Sequence, residues 1–219
     1  MPNQIVPTVV PQSVDDVLEA RKRYGAFVPM LHIDATDGIF APNKTWLPLS
    51  GEKLPDAASI QYEAHLMIDN PLSIGVAFAR AGATRIIGHV EAFHNAESAR
   101  EAFSMWQTAG AQEVGVAILL QTSLEDLRPY ASLCDFVHMM TIEKIGKQGY
   151  KFDTRSVDRV AQVRARYPSM TISVDGGETK DVVDDLARAG ASRFCIGSAL
   201  QKAKDPEKEY SRLLDAVTV

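Results

Sequence analysis

The chain has 219 residues, 46% hydrophobic and 23% charged, with a formal net charge of −5. These are globular values that exclude a disordered chain, and the length allows either two small domains or one large α/β barrel. A mild acidic excess without Lys/Arg runs leaves no electrostatic footprint for a phosphate backbone, so no nucleic-acid partner is expected.

No stretch approaches the roughly 18 uninterrupted apolar residues of a membrane span. The first twenty residues carry Asp15 and Asp16 and no basic start, so they do not read as a secretory signal. A soluble, cytoplasmic protein without a membrane partner is expected. Cys134 and Cys195 sit in apolar, strand-like runs and read as buried free thiols, in keeping with a reducing cytosol.

In chain order, a strand is predicted over residues 4–10, followed by a helix that opens on a capping-box-like Ser13/Asp16 pair and gathers Val14, Val17 and Leu18 on one face. A second strand covers 30–33. The stretch 39–59, with Pro42, Pro48 and Pro55, reads as a long loop in place of a helix. Further strands are predicted over 61–67, 85–89, 113–119, 136–140, 171–174 and 193–196, and Val182, Val183, Leu186 and Ala187 form a later helix face.

One device recurs: Ala81-Gly82-Ala83, Ala109-Gly110-Ala111 and Ala189-Gly190-Ala191 each end a helical pattern and precede a short apolar run. A helix, a glycine stop and a strand buried on both faces make half of a parallel βα repeat. About eight such strands, with no low-complexity linker between them, predict a single domain over residues 1–219, a (β/α)8 TIM barrel.

Side chains alternate along a strand, so His32 and Asp34 project to the same side at the end of the second strand. His65 lies near the end of the third strand, and Asp175 follows the seventh, directly before Gly176-Gly177. In a barrel all four reach the C-terminal mouth, where βα loops build active sites. Two imidazoles and two carboxylates suit one divalent ion, Zn²⁺, Fe²⁺, Mn²⁺ or Co²⁺ rather than Mg²⁺. His89 and His138 also fall on predicted strands, so four of the five histidines are placed there. Asp37-Gly38 reads as a turn. Gly176-Gly177 and Gly197-Ser198 stand after strands seven and eight, each ahead of an expected short helix, where barrels commonly hold a phosphate.

These residues resemble the ribulose-phosphate 3-epimerases of the ribulose-phosphate-binding barrel group. Leu31-His32-Ile33-Asp34-Ala35-Thr36-Asp37-Gly38-Ile39-Phe40-Ala41-Pro42-Asn43 is similar to the family signature LHxDxMDGxFxPN, and Glu63-Ala64-His65-Leu66-Met67 through Asn70-Pro71 to its HLMxxxP segment. His89-Val90-Glu91, Met140-Thr141-Ile142-Glu143, Val174-Asp175-Gly176-Gly177 and Gly197-Ser198-Ala199 extend the match over nearly the whole chain.

The resemblance implies one divalent metal per subunit on His32, Asp34, His65 and Asp175, with Asp34 and Asp175 as the acid/base pair. It implies a phosphorylated sugar as substrate, bound by Thr8, His65, Met67, Met140, Gly176, Gly177, Gly197 and Ser198, and a homo-oligomer. The reaction implied is epimerisation at C3 of D-ribulose 5-phosphate to D-xylulose 5-phosphate through an enediolate, with the metal as Lewis acid.

Several positions depart from the pattern. Thr8 stands for a serine, Thr36 for a methionine and Leu119-Leu120 for Asn-Pro, while His138 takes a normally apolar inward position. The PGFGGQ loop after strand six is replaced by Lys144-Ile145-Gly146-Lys147-Gln148-Gly149-Tyr150, longer by a residue, and its two lysines are expected to contribute to anion recognition. These changes bear on substrate identity, so an epimerase of another ketose phosphate, such as allulose 6-phosphate, is the alternative. A decarboxylase/aldolase of the same barrel group is disfavoured because its DxKxxD pattern is missing from strand three. A non-catalytic phosphosugar-binding barrel would lose an acid/base residue, and both aspartates are present.

Overall fold

Eight parallel strands alternate with helices in the computed structural model, which describes residues 3–218. The order is β1 (Gln4–Val9), α1 (Val14–Tyr24), β2 (Met30–Thr36), β3 (Gln61–Met67), α2 (Leu72–Ala81), β4 (Arg85–His89), α3 (Ala96–Ala109), β5 (Glu113–Ile118), β6 (Phe136–Met140), α4 (Arg155–Arg166), β7 (Thr171–Asp175), α5 (Lys180–Ala189), β8 (Arg193–Ile196), α6 (Ser198–Lys202) and α7 (Pro206–Val217). Each strand pairs with its sequence neighbour and β8 pairs with β1, which closes the sheet into the expected (β/α)8 barrel.

The three Ala-Gly-Ala stops act as expected. Gly82, Gly110 and Gly190 have φ of 115°, 128° and 115°, a left-handed region that an L side chain adopts only under strain, and each N–H turns back to the last helical carbonyls. At the start of α1, the Asp16 carboxylate accepts the Ser13 N–H at 2.9 Å, one half of the expected capping box. No α-helix fills 37–60, the expected loop, and none fills 119–135.

Strand ends shift by one to three residues. β1 and β5 stop one residue early, β7 takes in Asp175, and β2 runs on to Thr36 because its pairing with β3 continues unbroken from Met30↔Gln61 to Thr36↔Met67. Cys134 lies half-buried just ahead of β6 rather than in a strand; Cys195 is buried in β8, and both are free. After Gly177 comes the ten-residue α5 and not a short helix, whereas α6 after Gly197 has five residues.

The principal apolar core is the layer between sheet and helices, built on residues such as Leu31, Ile33, Tyr62, Phe78, Trp106, Val174 and Phe194. The lumen differs. At its lower end Arg85 pairs with Glu63 at 2.9 Å and Glu113 at 3.2 Å, Arg193 pairs with Glu113 at 2.8 Å, and both guanidiniums lie over the Phe136 ring. Above this ionic floor, further along the strands, His32, His65, His89 and His138 come together, all fully buried.

Candidate active site

Register assembles the site. Asp34 lies opposite His65 and Met140 opposite Asp175, so residues far apart in the chain share one level of the lumen. The Asp34 Oδ1 atom is 3.2 Å from His32 Nε2 and 3.0 Å from His65 Nδ1, and Asp175 Oδ2 is 3.5 Å from the same His65 nitrogen. His32, Asp34, His65 and Asp175 are therefore brought together as the sequence suggested.

Each imidazole is oriented by a partner behind it. His32 Nδ1 lies 2.6 Å from Glu63 Oε1. Burial disfavours the charge on Glu63, but His32 and Arg85 outweigh it and hold the carboxyl well below its ordinary range. An ionised carboxylate only accepts, so Nδ1 carries a proton and Nε2 faces the lumen and the Asp34 carboxylate; burial opposes a charge on the ring, but contacts to Cys195, Asp34 and Glu63 outweigh it and hold His32 well above its ordinary range. His65 Nε2 is 2.8 Å from His89 Nε2, and His89 Nδ1 is 3.3 Å from Glu91 Oε2, which leaves His65 Nδ1 for the cluster. His138 Nδ1 is 3.1 Å from Ser173 Oγ, and its Nε2 lies 3.7 Å from Asp175 Oδ2 without a hydrogen-bond partner.

Burial opposes ionisation of both aspartates, yet contacts to His32 and His65 hold Asp34 low and contacts to His138 and His65 hold Asp175 low. Burial, reinforced by the neighbouring His65, pushes His138 down to about 4 and so keeps it neutral. Burial opposes a charge on His65 as well, yet contacts to Asp175 and Asp34 raise it, so protons on the inward imidazole nitrogens balance the two ionised carboxylates, and one divalent cation can take the place of those protons. His32, His65, His138 and Asp175 each offer one donor atom within 4.8 Å of the other three. The residues present fit a metal ion. His32, Glu63 and Cys195 also cluster, but burial pushes the Cys195 thiol up to about 12, so it remains a hydrogen-bonding thiol behind His32.

Above the donors opens a narrow cleft. Thr8, Met67, Met140, Gly176, Gly177, Gly197 and Ser198 all line it. The Thr8 hydroxyl is buried with no partner and is thus available to a ligand. The loop after β6 covers the mouth: Gln148 Nε2 donates to Thr8 O at 3.0 Å, and a Cβ on Gly197 would meet that amide at 2.5 Å. A Cβ on Gly177 would meet Phe152 N at 2.5 Å, so both glycines let the loop approach.

Of the two loop lysines, Lys147 lines the cleft whereas Lys144 is exposed outside it, because the loop turns between them to bury Ile145. Asp37 forms the expected turn, its carboxylate accepting from Ile39 N at 2.8 Å and Asp69 N at 2.7 Å. The sequence assigned no site role to Glu63, Arg85, Glu91 or Glu178, although Glu63 and Glu91 lie in the segments that carry the resemblance. Stepping back in twos along the strands from His65 and His89 would have found Glu63 and Arg85, whereas nothing periodic marks Glu178. Its buried carboxyl contacts Thr141 Oγ1 at 2.6 Å and accepts the Gly176 N–H at 2.7 Å, so that amide is already engaged.

The sequence profile of the ribulose-phosphate 3 epimerase family matches residues 6–201. Ribulose-phosphate 3-epimerase of Chlamydia trachomatis serovar D is 36% identical over 186 residues, covering 82% of this chain and 78% of that protein. That of Aquifex aeolicus is 33% identical over 214 residues, covering 94% and 93%. Among solved structures, 3-hexulose-6-phosphate synthase from Salmonella typhimurium superposes with a TM-score of 0.71 at 15% identity, covering 98% of each chain. The 3-keto-L-gulonate-6-phosphate decarboxylase from Vibrio cholerae O1 gives 0.72 at 14% identity over 99% of this chain and 97% of that one. The structural likenesses show a shared fold, while the match to the family profile and the identity of the sequence relatives establish that this chain belongs to the ribulose-phosphate 3-epimerase family and is an isomerase.

Proposed function

We propose that the protein interconverts D-ribulose 5-phosphate and D-xylulose 5-phosphate by inverting C3, with Asp34 and Asp175 as acid and base and one divalent ion, Zn²⁺, Fe²⁺, Mn²⁺ or Co²⁺, as cofactor. The observation that carries this reading is the pair of buried carboxylates, both within 3.5 Å of His65 Nδ1 and both open to the cleft. They stand on β2 and β7, which β1 and β8 separate, so they reach a bound ligand from different sides.

Inversion at a carbon α to a ketone needs this arrangement. One carboxylate removes the C3 proton from one face of the substrate, and the other carboxyl returns a proton to the opposite face of the planar enediolate. Both side chains then exchange protonation states, and the reverse reaction uses the same pair. His32, Asp34, His65 and Asp175 would hold the ion, which supplies Lewis-acid stabilisation of the enediolate charge. His32 and His65 would present their inward nitrogens to the ion because Glu63 and His89 engage the other ring nitrogens. Met67, Met140 and Ile142 form an apolar wall that keeps water from the reacting carbon and strengthens the electrostatics. Thr8, Gly177, Gly197 and Ser198 would engage the phosphorylated end.

The deciding experiment incubates the metal-loaded protein with a panel of ketose phosphates in deuterium oxide. D-xylulose 5-phosphate bearing deuterium at C3 is the expected product from D-ribulose 5-phosphate. Turnover of allulose 6-phosphate in preference to it would reassign the substrate, and no deuterium at C3 of any ketose would refute epimerisation.

A further inference from the structure

The inward imidazole of His138 has no part in the proton transfer described above. It is fully buried on β6, its ring stands 4.6 Å from that of His65 and stacks on that of His32 at 5.5 Å, and its Nε2 has no hydrogen-bond partner. A buried polar nitrogen left unpaired costs about 1–3 kcal/mol. The nearest carboxylate oxygen, on Asp175, is 3.7 Å away, too far for a hydrogen bond. Ser173 occupies the other ring nitrogen at 3.1 Å, just as Glu63 and His89 occupy those of His32 and His65. All three rings are thus held from behind with one nitrogen directed at the same small volume.

We propose that His138 is a further metal ligand, its Nε2 joining His32 and His65 as a third imidazole beside Asp34 and Asp175. This assignment rests on the reading of the site as a metal centre. The donor atoms of the three imidazoles and Asp175 lie within 4.8 Å of one another, close to the span of about 4 Å between opposite ligands at about 2.0–2.2 Å from one ion. Imidazole suits Zn²⁺ and Co²⁺ better than Mn²⁺, for which oxygen donors are preferred, so His138 biases the site toward the former pair.

The test counts imidazoles directly, by X-ray absorption at the zinc edge of the full-length protein loaded with Zn²⁺. Three are expected, and two would overturn the proposal while leaving the metal centre intact. In chelator competition, His138→Leu and His138→Gln should each weaken Zn²⁺ binding at least tenfold and Mn²⁺ binding less. Unchanged Zn²⁺ affinity, with only the melting temperature of the metal-free protein shifted, would show that His138 merely packs the lumen. If the variants do not fold, the imidazole count of the unaltered protein decides alone. Failure of the protein to bind Zn²⁺ at all would refute both this assignment and the metal reading beneath it.

Discussion

Replacing Glu178 by glutamine is expected to remove a large part of the fall in stability of this protein as pH rises. Thr141 has one hydroxyl proton but stands 2.6 Å from two oxygens, the Gly176 carbonyl and Glu178 Oε1. The carbonyl can only accept, so the hydroxyl donates there and Glu178 must donate to Thr141 as a neutral acid, while its Oε2 accepts the Gly176 N–H. Burial, with the Asp175 charge nearby, pushes this carboxyl up to about 8 from 4.5. Below pH 4.5 folded and unfolded chains both hold the proton. Between about 4.5 and 8 only the folded chain holds it, and ionisation of the unfolded chain draws the equilibrium toward unfolding.

At 1.36 kcal/mol per pH unit, the penalty built up between pH 5 and 8 is on the order of 4 kcal/mol. Glutamine reproduces both contacts, its amide donating to Thr141 and its carbonyl accepting from Gly176, but it does not titrate. Urea unfolding of both proteins from pH 5 to 8.5, in saturating chelator to remove metal linkage, should therefore show the variant gaining on the parent as pH rises. Parallel stability profiles would refute the neutral Glu178.

Asp175→Asn should lower kcat by about 10²–10⁴-fold with the fold retained, checked by circular dichroism alongside metal content. Lys147→Met should raise KM for the phosphorylated ketose several-fold at low salt with kcat little changed, whereas Lys144→Met, altering a residue outside the cleft, should change neither in steady-state assays. Glu63→Gln removes the carboxylate that fixes His32 and should weaken metal binding by about 10–100-fold in calorimetric titration. Zn²⁺ at a hundred times its dissociation constant should stabilise the protein by about 2.7 kcal/mol over the chelated form, seen as a higher denaturation midpoint.

The barrel was legible because its signals are local. Each Ala-Gly-Ala stop requires a positive φ that glycine supplies, and the strands are runs buried on both faces. His32, Asp34, His65 and Asp175 could be placed at one mouth because parallel strands in a barrel all end on the same side. The end of β2 was missed because Ala35 and Thr36 are held in the strand by β3, a partner some thirty residues away, and not by their own propensities. Glu178 was hidden for a similar reason: its counterpart Thr141 lies on the loop after a different strand, so no spacing in the sequence marks the pair. Alternation did place His138 inward, but only the structure shows that its second nitrogen is left without a partner.

The ionic floor of Arg85, Arg193, Glu63 and Glu113 gives the lumen a closed base, and its charges are bound to one another rather than to the helices. The apolar layer that keeps the chain folded therefore surrounds the reaction chamber like a sleeve and contributes few of its walls. A substitution in the sleeve is felt mainly through packing, whereas one in the chamber also changes charge and hydrogen bonding. The chamber can be rewritten position by position for a different phosphorylated substrate while the sleeve continues to hold the strands in register.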